Sequence, residues 1–410
     1  MAVTVIVEPA GRSSWDEPVR IAVRGLAPGQ PVTLRASLRD EKGALFRSHA
    51  RYQADVRGLL DLARAPALGG SFTGLEPMGL FWALESEKPL VRLMKRDVET
   101  PFAVELEVLE GHEPEAGRLL GRAVLERDFL RPGVRRVPVR EGRVRATLFL
   151  PPDGPFPGLI DMFGDGGLNE SRASHLACRG FATLALPFFG YEDLPPIMKD
   201  LNLDYFEEAA KFVQSHPKVK GPNIGVIDSG KGAELAFSMA SFLPNIAAVV
   251  SINGCISNTT TALTCGRLIL PGLPFNLDKI SKRWGTPWIQ PTGKVEFPLE
   301  KASAHFLFVV GEDDRHWKSS VYADTAVKHL TEHGKTNFTL LSYPNAGHRI
   351  DPPYSPFFSV CLHPVLGVPV LGGGQLKAHA VAQMESWKIL AFLHLHLGGT
   401  WVVQPVKHDS

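Results

Sequence analysis

The chain has 410 residues, and since domains hold roughly 100–200 residues, two or three are expected. Lys plus Arg number 44 and Asp plus Glu 43, for a net charge of +1, with 44% hydrophobic and 21% charged residues. That balance excludes the basic footprint of a nucleic-acid binder and the polybasic attraction to an anionic membrane. No stretch reaches the ~18 apolar residues of a membrane span.

Taken in chain order, the first residues, Met1 to Glu8, lack the basic front and length of a secretion signal. Glu8, Asp16 and Glu17 do not suit an acid-poor transit peptide, and the final Lys407 to Ser410 is no Ser-Lys-Leu-type address. A cytosolic protein is expected. The first ~135 residues read as β structure. Val19 to Val23 is a short apolar run, and Val32, Leu34, Ala36 and Leu38 alternate with polar neighbours, the period of a strand with one buried face. Asp40 to Gly43 supplies a turn, so Ala44 to Tyr52 is predicted to return as a hairpin partner. Val104, Leu106 and Val108 alternate in the same way. Several short strands with turn signals suggest an antiparallel β-sandwich over residues 1–140.

The period changes after Pro151-Pro152. Strands are predicted at Leu159 to Phe163, Ala182 to Leu186, Ile224 to Ile227, Ile246 to Ile252, Phe306 to Val310 and Phe338 to Tyr343. Leu203, Phe206, Ala210 and Val213 mark an amphipathic helix, Ala233 to Phe242 another. Ala380, Met384, Trp387 and Ala391 predict one stripe of a last helix that ends at Gly398-Gly399. This alternation implies an α/β fold over 141–410, with a mostly parallel sheet covered on both faces. Ser257 to Pro298 reads as irregular, either a substrate-binding insertion or a surface excursion. Cys178, Cys255, Cys265 and Cys361 have neither disulfide density nor metal-ligand spacing. His394 and His396, two apart on a helix, face different directions and read as solvated, so no metal site is expected.

Ligands of such sheets gather at the carboxyl ends of the strands. Three ends carry chemistry: the turn Ile227 to Gly232, the loop Val310 to Asp314, and the loop Tyr343 to His348. A nucleophile turn, an acid and a histidine in that order form the α/β-hydrolase layout. In that layout the histidine takes the nucleophile's proton and the carboxylate fixes its tautomer. Gly164 to Gly167 reads either as a plain Gly-rich turn or as an oxyanion donor paired with the Lys231 N–H.

Several segments carry a more specific signal. Trp15 to Leu26, Asp161 to Gly164 (Asp-Met-Phe-Gly), Tyr191 to Pro195, Lys231 to Glu234, Ser238 to Ser241, Gly311 to Ser319 and Gly347 to Tyr354 resemble a two-domain family. It is the acyl-CoA thioesterase and bile acid-CoA:amino acid N-acyltransferase family. The resemblance runs over nearly the whole chain. It implies a sandwich-like N-terminal domain and an α/β-hydrolase domain, with Asp314 as triad acid and His348 as base. It also implies an acyl-CoA substrate and no cofactor, since CoA enters with the substrate, in a monomer or small homo-oligomer.

The nucleophile departs from the family pattern, Gly-Xaa-Ser/Cys-Lys-Gly. This chain reads Asp228-Ser229-Gly230-Lys231-Gly232. Gly230 holds the nucleophile position and bears no hydroxyl or thiol. Ser229 is one place too early and is expected to point away from His348, which makes it a weak substitute. Asp228 stands where a small residue belongs and is expected to misshape the turn. Three readings follow: thioester hydrolysis, acyl transfer to an amino acid, or a catalytically silent acyl-CoA binder. Trp317-Lys318-Ser319 and the N-terminal match lean toward the thioesterase branch.

Overall fold

A computed structural model of the chain describes residues 2–113, 115–274 and 296–398. Part of the predicted insertion, the residues after Gly398 and the extreme termini therefore lie outside the described residues.

The N-terminal part is two sheets around one core. Thr4–Glu8, Arg20–Arg24 and Leu60–Asp61 form the smaller. The larger is built on Phe102–Glu110, which pairs antiparallel with both Leu119–Asp128 and Pro31–Arg39. The predicted hairpin is present: Pro31–Arg39 pairs antiparallel with Leu45–Gln53. The alternating residues Val32, Leu34, Ala36 and Leu38 are all buried. Their period of two puts them on one face, where they meet Ile21 and Val23 of the other sheet. One short strand departs from the antiparallel expectation, since Arg12–Ser14 runs parallel to the end of Leu119–Asp128.

The rest of the chain is built on one eight-stranded sheet, here numbered β1 to β8. The strands are β1 (Arg135–Glu141), β2 (Val144–Leu150), β3 (Phe156–Met162), β4 (Ala182–Leu186), β5 (Val219–Ser229), β6 (Ile246–Ile252), β7 (His305–Gly311) and β8 (Phe338–Tyr343). Their spatial order is β1-β2-β4-β3-β5-β6-β7-β8. The pairs from β4 through β8 are parallel, and β2 is antiparallel to β1 and β4. Both faces are covered along the middle of the sheet, which is why β3, β4, β6 and β7 are near-continuous apolar runs. On β7, Phe306, Phe308 and Val310 enter one core with Phe206 and Phe237 from the helices Leu203–Ser215 and Gly230–Phe242. Leu307 and Val309 enter the other, with Leu390 and Leu393 from the helix Ile389–Leu397.

Three expectations are corrected here. The predicted last helix is two, Leu376–Ser386 and Ile389–Leu397, and Met384 is exposed, so no single stripe runs through both. His394 is buried, with its Nε2 3.1 Å from the Arg179 carbonyl, and His396 stacks on His305 with centroids 3.9 Å apart. The described part of the insertion holds order: Leu263–Cys265 and Leu268–Leu270 make a hairpin that pairs with Leu201–Asn202. Polar turn residues between such short strands hide the period that would have marked them.

The two parts meet through a continuous core. Trp15 packs on Phe102 and Phe129, each with ring centroids 5.6 Å away, and Asp16 accepts from the Arg179 guanidinium at 2.8 Å. Ala173, Ala177 and Ala185 of the sheet domain belong to the same cluster as the sandwich core.

Candidate active site

Strand β5 ends at Ser229 and a helix begins at Gly230 with no loop between them. Such a reversal forces the residue at its tip into the left-handed region. Gly230 sits there with φ +55°, a conformation in which glycine lacks the steric cost of other residues. Residues Gly230 to Ala240 of the helix are buried, so its first turn is held between the sheet and the loops above.

The acid and base loops rise beside this tip. His348 Nδ1 lies 2.8 Å from Asp314 Oδ2. Since a carboxylate only accepts, Nδ1 carries the proton and Nε2 is left as a base. A Cβ built on Gly230 would lie 3.8 Å from that Nε2 and 3.4 Å from Trp317 Cζ2. Both contacts are ordinary, and a hydroxyl one bond further out reaches hydrogen-bond range. Asp314 is itself held in place. Its Oδ1 accepts from the His316 and Trp317 backbone N–H groups at 2.8 and 3.1 Å, and its Oδ2 from the Ser319 hydroxyl at 2.5 Å.

Asn253, in the turn after β6, ties these loops together. Its Oδ1 accepts from Gly311 N–H at 2.8 Å, and its Nδ2 donates to the carbonyls of Gly347 and His348 at 3.1 and 2.6 Å. The Asn253 carbonyl also takes the Trp317 indole N–H at 2.7 Å. His379 closes the far side, accepting from Gly347 N–H at 3.0 Å on Nδ1 and donating to the Arg349 carbonyl at 2.6 Å. His316 stacks on His348 with centroids 4.3 Å apart. Asn253 is missing from the sequence-based expectations, although an Asn-Gly pair directly after a strand at the ligand end of the sheet is a usable signal. Ser319 enters them only as the end of the stretches Gly311 to Ser319 and Trp317-Lys318-Ser319, with no role of its own.

The other predicted residues are placed as follows. Gly164 packs on the start of the helix, where a Cβ would meet Gly232 N at 3.1 Å and Lys231 N at 3.5 Å. Gly164, Ser229, Gly230, Lys231, Trp317 and His348 line one cavity, with Met198, Val365, Leu366 and Val370 on its apolar side. Ser229 lines this cavity and also a second, more polar one toward the N-terminal domain. The Lys231 ammonium turns inward, donating to Glu234, Asn258 and the Thr259 carbonyl at 2.7, 2.9 and 2.7 Å. It anchors the segment after β6 rather than facing the cavity. Lys231→Met is expected to cost ~3–5 kcal/mol of stability, because it strands the buried Glu234. Urea denaturation measures that loss.

Asp228 does not misshape the turn. Its side chain is fully buried and accepts from Arg172 at 2.8 Å and from Ser229 N–H at 2.7 Å. Arg172 also donates to Asp161 at 2.5 Å. A Cβ on Gly232 would fall on Asp228 Oδ2, so the glycine supplies the room that the carboxylate takes. Burial pushes the Asp228 carboxyl up to about 8, against the pull of Arg172 and with the push of Asp161. An unfolded aspartate titrates near ~3.9. Between those values the folded chain keeps a proton that the unfolded chain has lost, so this group's contribution lowers stability as pH rises through that window. Asp228→Asn should flatten this slope, read as denaturation midpoints from about pH 4 to about pH 8.

Residues 16–141 match the family described as Acyl-CoA thioester hydrolase/BAAT N-terminal region, and residues 201–399 match BAAT / Acyl-CoA thioester hydrolase C terminal. The chain is 58% identical to Acyl-coenzyme A thioesterase 1 of Homo sapiens, over 97% of this chain and 98% of that protein. It is 58% identical to Acyl-coenzyme A thioesterase 2, mitochondrial, of Homo sapiens, over 97% of this chain and 85% of that protein. It is 56% identical to Acyl-coenzyme A thioesterase 5 of Mus musculus, over 99% of this chain and 100% of that protein. The chain belongs to the acyl-CoA thioester hydrolase and BAAT family.

Proposed function

We infer that this chain acts on acyl-CoA thioesters as a hydrolase whose acid and base are in place and whose covalent nucleophile is missing. The observation that carries the reading is the 3.8 Å between His348 Nε2 and a Cβ at residue 230, with Asp314 on the other ring nitrogen. In this reading His348 is the base, Asp314 its orienting acid, and Gly230 the position of the absent side chain. The Lys231 N–H, in the first turn of a buried helix, and the Gly164 backbone beside it are the oxyanion donors. The apolar side of the cavity, Met198, Val365, Leu366 and Val370, takes the start of the acyl chain.

Hydrolysis is preferred to amino acid transfer because the three relatives above are named thioesterases. The chain needs no cofactor in this reading, CoA arriving as part of the substrate. Its location stays the cytosol expected from the sequence, although one relative carries the word mitochondrial in its name. Among the described residues, no helix is long and apolar enough to cross a membrane. Thiol release from a panel of acyl-CoAs, with the unmodified chain and Gly230→Ser side by side, tests the reading. It fails when neither protein binds or cleaves any of them.

A further inference from the structure

Replacing a nucleophile by glycine does more than delete a hydroxyl. A Cβ on Gly230 would meet Trp317 Cζ2 at 3.4 Å and His348 Nε2 at 3.8 Å, and no third heavy atom beyond its own turn comes within 4 Å. The spot in front of the imidazole therefore accommodates a small group without any neighbour shifting. A serine fills it with CH₂OH and an alanine with a methyl. Glycine leaves it to a group the size of water, next to a ring nitrogen able to accept a proton.

We propose that this chain hydrolyses acyl-CoA by direct attack of a water molecule seated where the nucleophile's side chain would lie, with His348 as the general base and no acyl-enzyme. The proposal rests on the functional reading above. In the first step the water oxygen bonds to the thioester carbonyl carbon while one of its protons passes to His348 Nε2. The carbonyl electrons move onto oxygen, facing the N–H groups at the helix start. When the C–S bond breaks, sulfur takes its electron pair and the imidazolium returns the proton. The products are one carboxylic acid and one CoA thiol, and His348 is regenerated.

The proposal makes turnover a non-monotonic function of the side chain at residue 230. A methyl supplies no chemistry and occupies the water's place, so Gly230→Ala should hydrolyse a saturated acyl-CoA at least about tenfold more slowly than the unmodified chain. General-base catalysis typically contributes about 10²–10⁴-fold. His348→Gln, which keeps volume and removes the base, should therefore fall to the same floor. Gly230→Ser should exceed all three. Intact-mass spectra of the unmodified chain during turnover should show no acyl adduct.

Melting curves and CoA binding establish that Gly230→Ala is folded. Were it to misfold at this positive φ, His348→Gln carries the comparison alone. Equal rates for the unmodified chain and a folded Gly230→Ala overturn the proposal. So does an acyl adduct on Ser229, or a rate for the unmodified chain no higher than that of His348→Gln. The two rate results leave the functional reading intact as long as Gly230→Ser is active, whereas an adduct on Ser229 also ends its claim that the covalent nucleophile is missing. An inactive Gly230→Ser together with no acyl-CoA binding sinks that reading itself.

Discussion

Gly230→Ser should raise acyl-CoA hydrolysis by at least roughly 10³-fold, because nucleophile and base act as a unit and the loss of either removes most of the covalent route. The acceptor is already aimed: His348 Nε2 lies 3.8 Å from the Cβ position, and Asp314 fixes the tautomer that leaves its lone pair free. A serine there must adopt φ near +55°, a strain of ~1–3 kcal/mol that should appear as a lower melting temperature. Asp228 needs no change to accompany it. Its carboxyl is housed by Arg172 and by the room at Gly232, and it is not among the groups within 4 Å of a Cβ on Gly230. Ser229→Ala in the unmodified chain should leave thiol release unaltered. A brisk rate that this change abolishes would make Ser229 the nucleophile.

In the Gly230→Ser protein, Asp314→Asn should then forfeit about 10³–10⁴-fold of kcat. Asp314 accepts at both oxygens, from two backbone N–H groups, the Ser319 hydroxyl and His348 Nδ1. An asparagine has one accepting oxygen. Turned toward the backbone donors, it presents its NH₂ to His348, which favours the tautomer with the proton on Nε2. That tautomer cannot take a proton from a hydroxyl. Steady-state kinetics should show the loss in kcat with KM little changed, since Asp314 acts through His348 and not on CoA. A loss confined to KM would place Asp314 in binding instead.

The period-two and strand-helix patterns make both halves of the fold legible in the sequence. The runs Ala182–Leu186 and Ile246–Ile252 begin and end where the apolar pattern places them, because buried parallel strands are apolar nearly from end to end, and the less buried edge strand Phe338–Tyr343 also keeps its predicted bounds. The order of turn, acid and histidine is legible for the same reason: each stands directly after such a run. Less visible is what depends on partners distant in sequence. Asp228 reads as a misfit beside a tight turn, and the Arg172 guanidinium that pairs with it lies 56 residues away. Asn253 joins the acid and base loops through their backbone groups, so its Asn-Gly signal marks a position without naming its partners. The helix break at Trp387 is hidden because Ala380, Met384, Trp387 and Ala391 stand three or four apart across it in the sequence, although Met384 faces outward.

The most direct measurement is the intact mass of the Gly230→Ser protein, quenched within a turnover of mixing with acyl-CoA and mapped by peptide fragmentation. The expected result is one acyl group on residue 230 and none on the unmodified chain treated alike. An adduct on Ser229 in either protein, or no adduct on a Gly230→Ser protein that binds acyl-CoA, would contradict the placement of Gly230 at the nucleophile position facing His348.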